Sequence, residues 1–152
     1  MAGEIDQRRS FYEFVIARGG QRRLIGTSEE TELVSKAVFE LGLPAFEAKG
    51  LILSGAAALD AAVETTLDRS VEVLVAASAD RRRRIGRPEF RQLVRYVQAL
   101  AKEGLGEAAA ERKVKDTVSR LGLKPRPVSP LRSVRWYRRA GRSAASERVQ
   151  AA

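Results

Sequence analysis

Along most of this chain apolar residues recur at three- and four-residue intervals and stop at short turns, the pattern of amphipathic helices rather than strands. Leu33, Val34, Ala37, Val38 and Leu41 make one such stripe. The Thr27-Ser28-Glu29-Glu30 run before it has the form of a capping box, so a helix is expected from Thr27 to a stop at Gly42. Pro44 suits the first position of the next helix, which carries Phe46, Ala48, Leu51, Ile52 and Leu53 toward Ser54-Gly55. Residues 56–67 are Ala-rich and predicted helical, with Leu59, Ala62, Val63 and Leu67 as the buried stripe. Asp68 can cap a helix over Val71 to Ala77; its β-branched run also fits a buried strand, but the flanking helices favour helix. From Pro88 onward Phe90, Leu93, Val94, Val97 and Leu100 share one stripe, and Arg87, Arg91 and Arg95 lie opposite. Residues 107–121 form the last clear helix, with Ala110, Val114, Val118 and Leu121 inward and Gly122 as its stop.

The two ends are less regular. Asp6 can cap a helix over residues 7–18 that Gly19-Gly20 ends, and a short hairpin within residues 11–26 is the competing reading because Gly-Gly is also a turn signal. Residues 124–130 hold three of the five prolines and cannot continue a helix. Residues 131–142 follow with Trp136, Tyr137 and five arginines and no acid, and residues 143–152 are small and polar enough to be disordered. The pattern therefore predicts a helical domain over residues 1–123 and a Pro/Arg-rich basic tail over 124–152. No repeat is evident at the periods expected of solenoids.

Residues 71–102 read as helix, basic loop, helix. Asp80 near the loop start, Ile85 in mid-loop and Glu89-Phe90 at the entry to the exiting helix resemble an EF-hand. Alignment on Ile85 and Glu89 puts Ser78 at the first and Asp80 at the third ligand position. The chain departs from the calcium-binding pattern at Arg82, where an oxygen ligand belongs, and at Arg83, where glycine belongs. The resemblance is thus to degenerate EF-hand-like helical domains, with TerB-like bundles a looser comparison, over about a fifth of the chain. It implies an all-α fold of five to seven short helices, a groove between helices for a partner helix or peptide, and no calcium.

Charge sharpens this picture. Residues 1–80 carry 8 Lys+Arg against 13 Asp+Glu, and residues 81–152 carry 20 against 6, a net of −5 beside +14. That asymmetry points to a polyanion, an acidic protein surface, or mutual neutralisation within one molecule or between copies. Arg81, Arg82, Arg83 and Arg84 concentrate like charge in one loop, and guanidinium groups bind carboxylate and phosphate bidentately. With Arg87, Arg91 and Arg95 they form one candidate partner-binding surface. Arg132, Arg135, Arg138 and Arg139, with Trp136 and Tyr137, form another, which reads either as a stacking site for single-stranded nucleic acid or as an aromatic anchor docked on the core.

With no histidine and no cysteine, the chain lacks the commonest general base, metal ligand and thiolate nucleophile. No catalytic, cofactor or metal residues are recognisable. Gly104-Leu105-Gly106 lacks the third glycine and preceding strand of a nucleotide fingerprint, and the helix beginning Glu107-Ala108-Ala109 is short of base-reading side chains. No segment approaches the apolar length of a membrane span, and a cytoplasmic protein is expected. The expected function is a non-enzymatic adaptor or assembly module that binds an acidic protein partner, with nonspecific nucleic-acid binding as the alternative.

Overall fold

The expected all-α fold is what the chain adopts, with seven helices joined by turns and four two-residue strands among the described residues. The computed structural model describes residues 2–20, 22–128 and 133–142, with side chains from residue 5 onward. In chain order the elements are α1 (Ala2–Gly19), β1 (Leu24–Ile25), α2 (Thr27–Leu41), α3 (Ala45–Ala58), β2 (Ala62–Val63), α4 (Glu64–Ser78), β3 (Arg84–Ile85), α5 (Arg87–Leu100), α6 (Glu107–Arg120), β4 (Lys124–Pro125) and α7 (Arg135–Arg139). The chain divides into two units, Met1–Leu67 and Asp68–Ala152. No helix among the described residues is long and apolar enough to cross a membrane.

In the first unit α1 and α3 run side by side and parallel. Arg8 pairs with Glu47, Val15 meets Gly55, and Leu59 meets Gly19. Small residues permit that approach, since a Cβ on Gly55 would stand 2.7 Å from Val15 Cγ1. Phe11, Val15, Ile25, Leu33, Ala48 and Ile52 are among the residues that fill the core between α1, α2 and α3. Replacing Gly55 with valine should therefore cost about 1–3 kcal/mol by overpacking, read as a lower denaturation midpoint. An unchanged midpoint would mean that the two helices part at no cost.

Strands β1 and β2 pair in parallel, Leu24 with Ala62 and Ile25 with Val63, so the link between them must cross over; α2 and α3 supply it. The second unit repeats this plan. Strands β3 and β4 pair in parallel, Arg84 with Lys124 and Ile85 with Pro125, and α5 and α6 make the crossover. The match extends to detail. Gly26 and Gly86 are the N-caps of α2 and α5, each with its carbonyl accepting from the fourth residue on, Glu30 or Phe90. Buried Leu33 and Ala37 correspond to Leu93 and Val97, and Ala48, Ile52 and Ala56 to Ala110, Val114 and Val118. Asp60 and Gly122, both at positive φ, turn the chain into β2 and β4. Ala61 N–H then donates to Ala56 C=O, and Leu123 N–H to Val118 C=O.

Several expectations are corrected. The hairpin alternative within residues 11–26 gives way to α1, which runs to Gly19. The helix expected over residues 56–67 is broken, because Asp60 at φ 51 turns the chain and Ala62-Val63 pair with β1 before α4 begins. The capping box does not form either. Gly26 is the N-cap without a side-chain hydrogen bond; the Glu64 carboxylate accepts from Thr27 N–H and Oγ1, and buried Glu30 accepts from the Thr65 hydroxyl. Residue 123 is followed directly by β4, which pairs with β3. The expected disorder of residues 143–152 falls outside the described residues.

Candidate functional site

The arginine loop of the second unit is organised around one carboxylate. Asp80 Oδ1 accepts from the N–H groups of Arg82 and Arg84, both at 2.9 Å, and Oδ2 accepts from the Arg84 guanidinium at 3.0–3.1 Å. Arg83, at φ 56, sends its guanidinium to the Leu121 carbonyl at 2.6 Å. Two of the four loop arginines are therefore committed to the turn. Arg81 and Arg82 are exposed, and neither guanidinium pairs with a carboxylate among the described residues.

Partial desolvation pushes the Asp80 carboxyl up, but hydrogen bonds from Arg84 and Arg82 and the Arg84 charge outweigh it and hold the pKa below the ordinary value of 3.8. A depressed folded-state pKa stabilises the fold above the unfolded pKa and loses that contribution as pH falls through the folded one. The melting-temperature gap between wild type and Asp80→Ala should thus be constant from neutrality to about pH 4 and close below it. A gap that does not vary with pH would show that the charge on Asp80 is irrelevant to the loop.

Helix α5 carries its apolar stripe inward through Phe90, Leu93, Val94 and Val97 and leaves Arg87, Arg91 and Arg95 exposed on the other side. No carboxylate pairs with these three among the described residues. Arg126 is the cation used at the start of α5, with Glu89 at 3.6 Å, and the absence of a side chain on Gly86 makes room for that pair. Arg120 pairs with Glu72, and Lys113 with Asp68.

Short helix α7 brings Arg139 of the tail to the same side. Phe90, 2% exposed, holds it in place. The Trp136 and Tyr137 rings stand edge-to-face against Phe90 at 5.5 and 5.7 Å, and against each other at 5.5 Å. Lys115 Nζ lies 5.2 Å over the Tyr137 ring and donates to the Ala140 carbonyl, and Gly141 N–H donates to the Glu111 carboxylate. The two rings are thus docked on Phe90, half-buried, and burial pushes the Tyr137 phenol up. Arg135, Arg138 and Arg139 remain exposed, while Arg132 lies outside the described residues.

Between α5, the start of α6 and α7 lies an open groove of about 860 Å³, whose lining includes Arg87, Arg91, Arg112, Trp136 and Arg139, with Phe90 beneath. Helix α6 opens at Gly106 with no side-chain cap, so the amides of its first turn add partial positive charge to this lining. Glu107 and Glu111 border it as well. Arg87 and Arg91 also face a shallower groove of about 470 Å³ that reaches Arg95. The arginines of α5 thus form a ridge between two depressions, suited to bidentate contacts with carboxylate or phosphate oxygens. No three carboxylates converge as a cation site among the described residues.

Sequence reasoning missed Arg112, which sits in an ordinary mixed-charge run, Glu111-Arg112-Lys113, and reaches the groove because α6 packs against α5. It also missed the internal repeat. Offset by 60 residues, Arg22, Arg23, Ile25, Gly26, Glu29, Leu33 and Val34 recur as Arg82, Arg83, Ile85, Gly86, Glu89, Leu93 and Val94, a signal longer in period than a solenoid repeat. Set against protein-family models, curated proteins and solved structures, the chain matches none.

Proposed function

We propose that this protein is a non-enzymatic binding module that takes an acidic protein surface on the arginine ridge and groove of its second unit. One observation carries the reading. The same scaffold is built twice, and where the second unit exposes Arg87, Arg91 and Arg95 the first has Thr27, Thr31 and Ser35 at the corresponding helix positions. The fold therefore has no need of these arginines. Three unpaired cations at i, i+4 and i+8 repel one another, and an anionic partner relieves that repulsion.

An acidic protein suits the groove better than a nucleic acid does. Trp136 and Tyr137 are held edge-to-face by Phe90 and by each other and are half-buried, which limits the ring surface open to stacked bases. Glu107 and Glu111 would repel a continuous run of phosphates, whereas a protein surface can set donors opposite them. The test is fluorescence anisotropy with a labelled Glu-rich peptide and a 30-nucleotide single strand, each titrated over a salt series. Salt-sensitive binding of the peptide, tighter than that of the nucleic acid, supports the reading. Preference for the single strand would replace it with the nucleic-acid alternative, and indifference to both would sink it.

A further inference from the structure

We infer that the groove between α5, α6 and α7 takes a phosphate monoester, the phosphorylated side chain of a protein partner, an inference that rests on the acidic-partner reading above. Guanidinium groups from three elements line this groove: Arg87 and Arg91 from α5, Arg112 from α6 and Arg139 from α7. All four residues are exposed, and none pairs with a carboxylate among the described residues. None has a cationic counterpart in the first unit. Thr27, Thr31 and Gly50 stand there in the places of Arg87, Arg91 and Arg112, and Arg139 lies outside the repeated part. The scaffold does not require this cluster.

The four cations are held at their roots. The Arg112 stem packs beneath Gly141, where a Cβ would stand 2.8 Å from Arg112 Cγ, and Gly141 turns the chain at φ 76. The Glu111 carboxylate fixes that turn by accepting from Gly141 N–H, and Lys115 fixes it by donating to the Ala140 carbonyl. Docking of α7 on Phe90 places Arg139, and Arg87 and Arg91 stand one turn apart on α5. Like charges fixed in this way repel one another, and an anion between them relieves the repulsion.

Charge balance and donor number select the anion. Four arginines against two glutamates, Glu107 and Glu111, leave the lining at a net of +2. A carboxylate brings one charge and two oxygens, which a single guanidinium fork satisfies. A phosphate monoester brings close to two charges and three terminal oxygens, enough for guanidinium groups arriving from different helices. The uncapped first turn of α6 adds amide donors to the same wall. A nucleic-acid backbone fits less well, because each of its phosphates carries one charge and the strand must continue past Glu107 or Glu111. A monoester ends in the groove. The acidic residues around it can then pair along the shallower depression that reaches Arg95.

Fluorescence anisotropy with the full chain tests this on one labelled Glu-rich peptide made with serine, glutamate or phosphoserine at its centre, at fixed salt. The phosphoserine form should bind about 10-fold more tightly than the glutamate form, the gain from one further charge-assisted contact. Arg112→Met/Arg139→Met should abolish that gain and leave binding of the glutamate form largely in place, since the ridge is intact. Methionine keeps an apolar stem beneath Gly141, so the melting temperature and Trp136 emission should match wild type, which guards against an unseated α7. Arg95→Ser, outside this groove, should weaken all three forms and keep the gain. Equal binding of the glutamate and phosphoserine forms overturns the inference and leaves the reading of the ridge standing, whereas binding of neither overturns both. Preference for a 5′-phosphorylated single strand over the phosphopeptide would give the groove to nucleic-acid ends and overturn it. A gain that survives in the double variant would place the phosphate elsewhere and overturn it too.

Discussion

Replacing Phe90 with alanine should cost about 3–5 kcal/mol of stability, the range for emptying a fully buried aromatic site. The size of the effect follows from two connections made by one ring. Phe90 fills the core beside Leu93 and Val97, and it is also the surface on which Trp136 and Tyr137 rest. Its loss therefore leaves a cavity and unseats α7. Trp136 is the only tryptophan, so its emission reports α7 directly. The expected result is a red-shifted spectrum under conditions where far-ultraviolet dichroism still shows helix, together with a lower denaturation midpoint. If the emission stays unchanged while stability falls, the contacts of Lys115, Ala140 and Gly141 are sufficient to hold α7, and the aromatic cluster is not its anchor.

Giving the second unit the first unit's residues, Arg87→Thr/Arg91→Thr/Arg95→Ser, should weaken binding of a Glu-rich peptide on the order of 100-fold. Each charge-assisted contact on an exposed ridge is worth about 1 kcal/mol net, and three lost together amount to about 3 kcal/mol. The salt dependence should flatten in parallel, since fewer screened pairs remain. Stability should change by no more than about 0.5 kcal/mol, because these side chains have no carboxylate partner among the described residues and the first unit folds with the replacements in place. A variant that binds as well as wild type would remove the ridge from the proposed function. A variant that loses several kcal/mol would show that the arginines serve the fold.

The two changes act at different levels. Phe90 faces inward and arranges the site, whereas the three arginines on the same helix face outward and touch the partner. Ahead of α5 stands the loop of residues 81–84, in which Asp80 restrains Arg84 and the Leu121 carbonyl restrains Arg83. The run of four like charges thus separates into two structural arginines and two exposed ones, Arg81 and Arg82. Nothing in four identical letters distinguishes them; backbone geometry does, since Arg83 sits at positive φ and Arg84 in a strand.

By itself the sequence determined what depends on near neighbours. The helical periods, the inward stripe of α5 with arginines opposite, the stop at Gly42 and the break after Gly122 are all set by residues within about one turn of each other, and the structure has them. It also determined the charge asymmetry, which needs no fold to be counted. What depends on distant partners had to wait for the tertiary structure. Residues 56–67 are good helix formers, but pairing of Ala62-Val63 with Leu24-Ile25, nearly forty positions away, overrides that propensity. The capping box around Thr27 fails for the same reason, because Glu64 and Thr65 arrive from far along the chain and take over its hydrogen bonds. Arg112 joins the groove only through the way helices pack within the second unit. A local pattern states which face of a helix is apolar; whether anything covers that face is settled by contacts whose loop-closure cost no short window of sequence contains.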